Sequence, residues 1–253
     1  MPVVGGFSLS TAFPVAVILA GGLGTRLRPI LSGTPKAMAP ILGHPFLEYL
    51  LRDLSAAGIR TAILCVGYLK EQIRAYFGDG SAVGLAVRYA EEDAPLGTAG
   101  ALGNARGMIG DARFLLMNGD TYISVDYKRL AAYHREKVVA ADAIGTIVVA
   151  QVSDGSATGR IHLEEDGRVR SFREKEHRGT SPCLANAGVY FFEPDIFRFI
   201  PETFPASLER DSIPAALGAG RALYGFPARG EFIDIGTPEG YQKMSDLLAK
   251  GKR

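Results

Sequence analysis

Short apolar runs alternate with stretches whose apolar residues recur at helical spacing through the first 143 residues. Such runs predict buried strands, and the helical spacing predicts amphipathic helices. The predicted strands are 15–20, 61–66, 85–89 and 114–117, and the predicted helices are 46–57, 69–77, 98–108 and 126–136. Because strands that alternate with helices build a parallel sheet covered on both faces, the pattern predicts an α/β fold.

The pattern changes after about residue 144, where strands become more frequent than helices. The predicted strands there are 144–152, 160–164, 169–174, 185–192, 222–226 and 231–235, and the predicted helices lie near 193–200, 208–217 and 238–249. No linker, internal repeat or low-complexity tract separates the two parts. We therefore predict a flexible leader over 1–12 and a single domain over 13–253, with halves at about 13–143 and 144–253.

Composition excludes several classes of protein. The net charge is +1, which argues against the overall basic surface of a nucleic-acid-binding protein. No apolar run approaches the roughly 18 residues of a membrane span, and the start lacks the basic residues of a signal peptide. Cys65 and Cys183 fit no metal-ligand spacing, and Cys65 lies in an apolar run that predicts burial. Without a disulfide framework, a cytoplasmic protein is expected.

A glycine-rich loop, Gly-Gly-Leu-Gly-Thr-Arg at 21–26, follows the first predicted strand. Glycines let backbone N–H groups turn toward an anion, and Thr25 adds a hydroxyl donor. Arg26 supplies a planar charged fork for phosphate oxygens, and Lys36 supplies a second cation. A tight strand-to-helix turn would explain the glycines but not both cations. The loop lacks the third glycine of a dinucleotide fingerprint and the Gly-Lys-Ser/Thr of a Walker A loop.

Six motifs in order resemble those of the sugar-1-phosphate nucleotidyltransferases. They are 21–27 with Pro35-Lys36, Pro95-Leu96-Gly97-Thr98-Ala99-Gly100, Asn118-Gly119-Asp120, Phe172-Arg173-Glu174-Lys175, Asn186-Ala187-Gly188-Val189-Tyr190, and 232–238. The resemblance covers about 15–245. It implies a Rossmann-like three-layer α/β/α sandwich of the nucleotide-diphospho-sugar transferase type, with a mostly parallel mixed sheet. It also implies a nucleotide-binding first half and a sugar-phosphate-binding second half.

The same resemblance assigns roles to individual residues. Arg26, Lys36 and Asp120 would be catalytic, and Asp120 and Asp234 would hold Mg²⁺, which proteins bind through one or two carboxylates and substrate phosphates. The nucleotide would contact Leu19, Ala20, Gly21, Gly22, Gly24, Thr25, Arg26, Glu92, Pro95, Gly97, Thr98, Asn118 and Gly119. Taken singly, Asp120 also suits an Asx turn and Asp234 a hydrogen-bonded strand end.

The sugar phosphate would contact Gly159, Glu174, Lys175, Asn186 and Gly188. Glu174 would accept hydrogen bonds from sugar hydroxyls, and Lys175 would pair with the phosphate. A solvated charge run is the alternative for 170–178. Thr158 stands where the family often has an aromatic residue. The four histidines have neither partners nor metal spacing, so we interpret them as structural or surface residues.

Glu92 bears on the choice of base. A carboxylate accepts hydrogen bonds, and guanine offers two adjacent donors, N1–H and the exocyclic amine, whereas uracil and thymine offer one. Glu92 therefore favours guanine, unless residues 91–93 are simply a solvated acidic loop.

Within the family the chain is similar to guanylyltransferases that act on D-glycero-α-D-manno-heptose 1-phosphate, through 38–41, 45–50, 224–226 and 232–236. The expected substrates are then GTP and that sugar phosphate, and the product is GDP-heptose for surface polysaccharide. Mannose 1-phosphate, a uridylyl or thymidylyl transfer to a hexose 1-phosphate, and an idle nucleotide-sugar sensor are the alternatives. We expect no nucleic-acid partner and no membrane insertion, and we keep a homodimer open.

Overall fold

The computed structural model describes residues 15–22, 31, 33–153, 159–173 and 182–251. The predicted leader over 1–12 lies outside them. The strands are β1 (Ala16–Leu19), β2 (Pro40–Ile41), β3 (His44–Pro45), β4 (Thr61–Val66), β5 (Ala86–Glu91), β6 (Phe114–Asn118), β7 (Thr121–Tyr122), β8 (Ala143–Val152), β9 (Arg160–Leu163), β10 (Val169–Arg173), β11 (Cys183–Phe192), β12 (Ala222–Pro227) and β13 (Ile233–Asp234). The α-helices are α1 (Phe46–Ala56), α2 (Lys70–Phe77), α3 (Gly97–Ile109), α4 (Tyr127–Ala141), α5 (Ile213–Gly218) and α6 (Pro238–Ala249).

Among the described residues, nine strands form one mixed sheet in the order β10-β9-β11-β6-β1-β4-β5, and β8 joins it between β11 and β12. β1 lies between β4 and β6 and is parallel to both, and β5 is parallel to β4. β11 is antiparallel to β6, β8 and β9, while β10 is antiparallel to β9 and β12 is parallel to β8. Only β10 and β11 therefore run against the other strands of this sheet, which confirms the mostly parallel mixed sheet.

Helices cover both faces of the sheet. Ile18 of β1 packs in an apolar cluster with residues of α1, α2, α4 and α6. Its neighbour Val17 packs in a second cluster with residues of α3 and α5. Successive side chains of a strand point to opposite faces, so one short apolar run fills both cores. The predicted three-layer α/β/α sandwich is confirmed.

Cys65 on β4 belongs to the second cluster and is 2% exposed. Its thiol contacts the carbonyl oxygen of Ala101 at 3.5 Å. Burial raises the pKa of this thiol to about 12, because the apolar surroundings disfavour the thiolate. Cys65 is thus a buried small apolar residue, as its sequence context predicts. None of the helices that the structure describes is long and apolar enough to span a membrane.

The structure departs from the predicted elements mainly in the second half. The region predicted as one helix over 208–217 begins with a wide π-type turn, Leu208–Ser212, before α5. Pro214 lacks an N–H group, so it cannot donate the α-helical hydrogen bond to a carbonyl in this turn. The predicted helix near 193–200 is a 3-10 helix, Pro194–Phe199. The predicted strand 231–235 is reduced to Ile233–Asp234, because it pairs with the short strand β7 alone.

Candidate active site

The carboxyl ends of four neighbouring parallel strands form one edge of the sheet. Leu19 at the end of β1 lies opposite Cys65 of β4 and Asn118 of β6, and Val66 lies opposite Glu91 of β5. In open α/β sheets ligands bind at this edge. A cleft opens there, lined by Leu19, Gly21, Gly22, Glu92, Pro95, Gly97, Thr98, Ala101, Asn118 and Asp120.

The cleft unites eight of the residues predicted to contact the nucleotide, together with Asp120. Ala20 and Gly119 are not among its lining residues: Ala20 is 5% exposed and donates its N–H to the Cys65 carbonyl. Gly119 donates to the Leu19 carbonyl at 2.9 Å, and a Cβ at this position would lie 2.8 Å from that same oxygen. Gly119 therefore contacts the backbone of Leu19, which lines the cleft, and does not line the cleft itself. Gly24, Thr25 and Arg26 lie outside the described residues.

Glu92 enters the cleft between two glycines. A Cβ at Gly21 would lie 2.4 Å from Glu92 Oε1, and a Cβ at Gly67 would lie 2.7 Å from the same atom. The Leu96 N–H donates to Glu92 Oε2 at 3.3 Å. Burial raises the pKa of Glu92, and the Leu96 hydrogen bond partly opposes this effect. Gly21 is therefore needed to make room for the Glu92 carboxylate. The phosphate binding predicted from the sequence for this loop does not account for this requirement.

The start of α3 is fixed against the segment before the π-type turn. Gly97 has φ +75°, and a Cβ there would lie 2.3 Å from the Ala206 carbonyl oxygen. The Ala99 N–H donates to that same oxygen at 3.0 Å, and the Ala206 N–H donates to the Leu96 carbonyl. Only glycine fits here, because the conformation is left-handed and a side chain would collide with the Ala206 backbone. The close contact holds Gly97 and Thr98 at the cleft.

Two acidic side chains that are far apart in sequence converge at Asp120, a lining residue of the cleft. In the antiparallel pair of β7 and β13, Asp234 lies opposite Thr121, and the Ile235 N–H donates to the Asp120 carbonyl at 3.0 Å. The pairing therefore places the Asp120 and Asp234 side chains beside each other.

The Lys36 ammonium lies between these carboxylates. Its Nζ is 2.6 Å from Asp120 Oδ2 and 3.3 Å from Asp234 Oδ1, and the Lys36 side chain is 10% exposed. The Gly236 N–H donates to Asp234 Oδ1 at 2.7 Å, and a Cβ at Gly236 would lie only 2.0 Å from Lys36 Nζ. The structure thus unites Lys36 with both predicted metal ligands.

The donor set fits a magnesium ion that shares its coordination with substrate. Two carboxylate oxygens lie within 3.3 Å of one cationic nitrogen, so both face a single point of positive charge. Mg²⁺ takes one or two carboxylates and completes its shell with water and phosphate oxygens. Within the described ranges no three His, Cys, Asp or Glu side chains form a metal-binding group.

A bend in β11 connects the predicted sugar side to this edge. The register of β11 against β8 shifts between Asn186 and Tyr190, and Gly188 within the bend has φ +70°. A Cβ at Gly188 would lie 2.6 Å from Asn118 Nδ2. The Asn186 N–H donates to the Gly159 carbonyl at 2.9 Å. The structure thus brings Gly159, Asn186 and Gly188 together beside Asn118, whereas Glu174 and Lys175 lie outside the described residues.

Sequence reasoning missed several residues of the site. Gly67 makes room for Glu92, Gly236 makes room for Lys36, and Ala101 lines the cleft. Glu209 accepts hydrogen bonds from Thr98, which lines the cleft, and from the buried Tyr190. Gly236 stands within a quoted motif, but its contact partner is 200 positions away in sequence. These contacts have no signal in local spacing.

The fold and the cleft define an α/β protein whose candidate ligand site lies at the carboxyl edge of the sheet, with Gly21 and Gly22, two carboxylates and a lysine. Residues 15–251 match the family model described as nucleotidyl transferase. The chain belongs to this family.

Named relatives agree with the family. The chain is 38% identical over 237 residues to the mannose-1-phosphate guanylyltransferase of Mycobacterium tuberculosis (strain ATCC 25618 / H37Rv), covering 93% of this chain and 65% of that protein. It is 35% identical over 233 residues to the D-glycero-alpha-D-manno-heptose 1-phosphate guanylyltransferase of Aneurinibacillus thermoaerophilus, covering 92% and 97%. The crystal structure of HddC from Yersinia pseudotuberculosis complexed with GMP-PN has a TM-score of 0.77 at 33% identity, covering 92% of this chain and 99% of that one.

Proposed function

We propose that the protein condenses GTP with D-glycero-α-D-manno-heptose 1-phosphate to give GDP-heptose and pyrophosphate. The observation that carries the proposal is the convergence of Lys36 and Asp234 on Asp120, which lines the same cleft as Glu92, within a chain of the nucleotidyl transferase family. Lys36, Asp120 and Asp234 suit phosphates and their counter-ions, and Glu92 suits a base with hydrogen-bond donors.

The reaction is an in-line displacement at the α-phosphorus of the triphosphate. A phosphate oxygen of the sugar 1-phosphate forms a bond to this phosphorus, the α–β bridging P–O bond breaks, and its electron pair leaves with pyrophosphate. A phosphate monoester has a second pKa of about 6, so the attacking oxygen is already deprotonated near neutral pH. The protein then needs to position two anions and offset their repulsion, and no general base is required.

Asp120 and Asp234 would hold Mg²⁺, which when bound offsets negative charge on the phosphates. Lys36 keeps the two carboxylates directed at one point, because its ammonium lies within 3.3 Å of both. In this proposal Arg26 and the backbone amides of 21–25 bind the α-phosphate and the departing pyrophosphate. Lys175 binds the phosphate of the sugar. Arg26 and Lys175 rest on the family motifs alone.

Glu92 supports guanine as the base. Its carboxylate lines the cleft and accepts the Leu96 N–H through Oε2, while Oε1 lies against Gly21 and Gly67. Guanine presents two adjacent donors to such an acceptor, whereas uracil and thymine present one donor between two acceptors. The Yersinia relative in complex with GMP-PN also supports a guanine nucleotide.

The acceptor sugar is proposed from the relatives. The heptose 1-phosphate guanylyltransferase is similar across 92% of this chain. The second candidate is mannose 1-phosphate, favoured by the relative that is 38% identical. Both acceptors carry a manno-configured ring and differ mainly beyond C6. A product destined for surface polysaccharide, a cytoplasmic location and a possible homodimer belong to the same proposal.

A substrate matrix tests the proposal. GTP, ATP, UTP, CTP and dTTP are each incubated with heptose, mannose and glucose 1-phosphates and Mg²⁺, and pyrophosphate release is measured. We expect release with GTP and a manno-configured 1-phosphate. Release with UTP or dTTP alone would overturn the base assignment, and release with mannose 1-phosphate but not heptose 1-phosphate would overturn the sugar. Nucleotide-sugar binding without any release would identify an idle sensor.

A further inference from the structure

A line of hydrogen bonds runs from Thr98, at the cleft, to Asn186. The Thr98 hydroxyl donates to Glu209 Oε2 at 2.8 Å. The Tyr190 hydroxyl donates to Glu209 Oε1 at 3.1 Å. Asn186 Nδ2 donates to the Tyr190 oxygen at 2.6 Å. Thr98 lies at the nucleotide cleft and Asn186 lies beside Gly159, so the line connects the two predicted substrate sides.

The chemistry of the partners fixes the direction of every bond in this line. A carboxylate can only accept, so the Thr98 and Tyr190 hydroxyls must donate to Glu209. The Tyr190 oxygen then receives the Asn186 amide N–H. The Gly188 N–H donates to Asn186 Oδ1 at 3.1 Å, which fixes the orientation of that amide. Each end of the line therefore depends on the position of Glu209.

Both ends of the line are also fixed to backbone next to substrate-facing residues. The Leu208 N–H donates to Thr98 Oγ1 at 2.8 Å, and Thr98 is the second residue of α3. At the other end, Gly188 packs against Asn118, which itself lines the cleft. We therefore expect a shift of Thr98 on nucleotide binding to displace Asn186 as well, because short directional bonds and close backbone contacts connect the two residues.

We propose that Glu209 is a positioning residue that couples nucleotide binding to sugar 1-phosphate binding through Thr98, Tyr190 and Asn186. The inference rests on the proposed function, because it requires both substrates. In this arrangement binding of one substrate fixes Glu209 and thereby the residues that meet the other substrate. The coupling is reciprocal, as linkage requires of two equilibrium affinities.

The test measures equilibrium coupling and not only turnover. The full-length wild-type protein is titrated with the non-reactive analogue α,β-methylene GTP and Mg²⁺, with and without the acceptor that gives the fastest pyrophosphate release in the substrate matrix. We expect the acceptor to tighten analogue binding at least about fivefold, the lower end of common coupling factors. If wild type releases no pyrophosphate with any pair, the proposed function fails first.

Tyr190→Phe interrupts the line and keeps the buried ring that stacks on Phe192. We expect the coupling factor to fall below about twofold, with kcat at saturation of both substrates nearly unchanged and each KM raised. Glu209→Gln is the second variant, because an amide cannot accept at both of its ends. Retention of wild-type coupling in a folded Tyr190→Phe or Glu209→Gln protein would overturn the inference.

Ser207→Ala is the matched control. The Ser207 hydroxyl also donates to Glu209 Oε2, at 3.0 Å, and it caps the following turn by accepting the Arg210 N–H at 3.2 Å. It lies off the path from Thr98 to Asn186. We expect Ser207→Ala to lower stability and keep the coupling factor. An equal loss of coupling in Ser207→Ala would show that any loosening of this turn is enough to abolish the coupling. That result would also overturn the inference.

Discussion

Lys36 Nζ lies 2.6 Å from Asp120 Oδ2 and holds the place where a metal cation would be expected between Asp120 and Asp234. Mg²⁺ bound by Asp120 and Asp234, as proposed, would therefore compete with the Lys36 ammonium for the same two carboxylates. This arrangement keeps two acidic groups close together without an ion, because the lysine offsets their repulsion.

Replacing Lys36 separates its effect on metal affinity from its effect on turnover. In Lys36→Met we expect Mg²⁺ to bind the substrate-free protein about tenfold more tightly, because the competing charge is gone. We expect turnover to fall at least about a hundredfold, since Asp120 and Asp234 lose the cation that keeps them directed at one point. Titration calorimetry with Mg²⁺ and a pyrophosphate assay measure the two effects. Lys243→Met, which removes an exposed lysine paired with Glu231, should change neither. Unchanged Mg²⁺ affinity in Lys36→Met would contradict this account.

Gly236→Ala tests how closely the lysine and the carboxylates must fit. A Cβ would lie 2.0 Å from Lys36 Nζ and 2.7 Å from Asp234 Oδ1, so both groups must move. We expect turnover to fall at least about tenfold, or 1.4 kcal/mol of transition-state stabilisation, with the fold retained. Gly107→Ala is the control: it lies in α3 with nothing within 4 Å of its Cβ, and should stabilise the protein by about 0.5–1 kcal/mol. Wild-type kinetics for Gly236→Ala would show that the site tolerates displacement.

Glu92→Gln tests the base reader. Glutamine can present only one acceptor oxygen, so one of the two guanine donors loses its partner. We expect kcat/KM for GTP to fall about tenfold or more, and the preference for GTP over ITP, which lacks the exocyclic amine, to shrink. Glu91→Gln is the matched neighbour, because Glu91 pairs with Lys70 and Arg74 at the surface. An unaltered GTP-to-ITP ratio in Glu92→Gln would remove Glu92 from base selection.

His134 predicts a pH dependence of stability. Its ring is fully buried between Thr146 Oγ1 at 2.9 Å and Glu193 Oε1 at 3.3 Å. Burial lowers the pKa of His134 below its ordinary 6.5, although the Glu193 carboxylate opposes this shift. Below about pH 6.5 the unfolded chain therefore binds a proton that the folded chain excludes, and stability falls as the pH falls.

The pKa of Glu193 is also lowered, because His134 and Arg113 stabilise its carboxylate by more than burial destabilises it. The contribution of Glu193 to stability is therefore lost only at a lower pH. Urea unfolding between pH 7.5 and 5 measures the slope. We expect His134→Gln to be less stable at pH 7.5 and to show a flatter slope below 6.5. His162→Gln, at an exposed position of β9, should keep the wild-type slope. An equal slope in wild type and His134→Gln would assign the dependence to other groups.

Local pattern was sufficient for most of the first half of the fold. Strand 61–66 was predicted at its observed bounds, because a run such as Thr61–Val66 is buried on both faces and bounded by Gly58 and Gly67. Helix 238–249 was likewise predicted at its bounds, since Thr237 caps it and Pro238 suits its first turn. The π-type turn Leu208–Ser212 was missed, since its apolar spacing matches that of a helix and only the hydrogen bonds of Ser207 reveal it.

The sequence by itself determined the α/β class, the glycine-rich loop and the order of motifs, because strand and helix periodicity and the chemistry of single residue types are local properties. Only the tertiary structure placed the Lys36 ammonium between Asp120 and Asp234, or Glu92 between Gly21 and Gly67. It also joined Thr98 to Asn186 through Glu209 and Tyr190. These relationships depend on strand order and register, which bring residues together across gaps of up to about 200 positions, and no local spacing encodes such contacts.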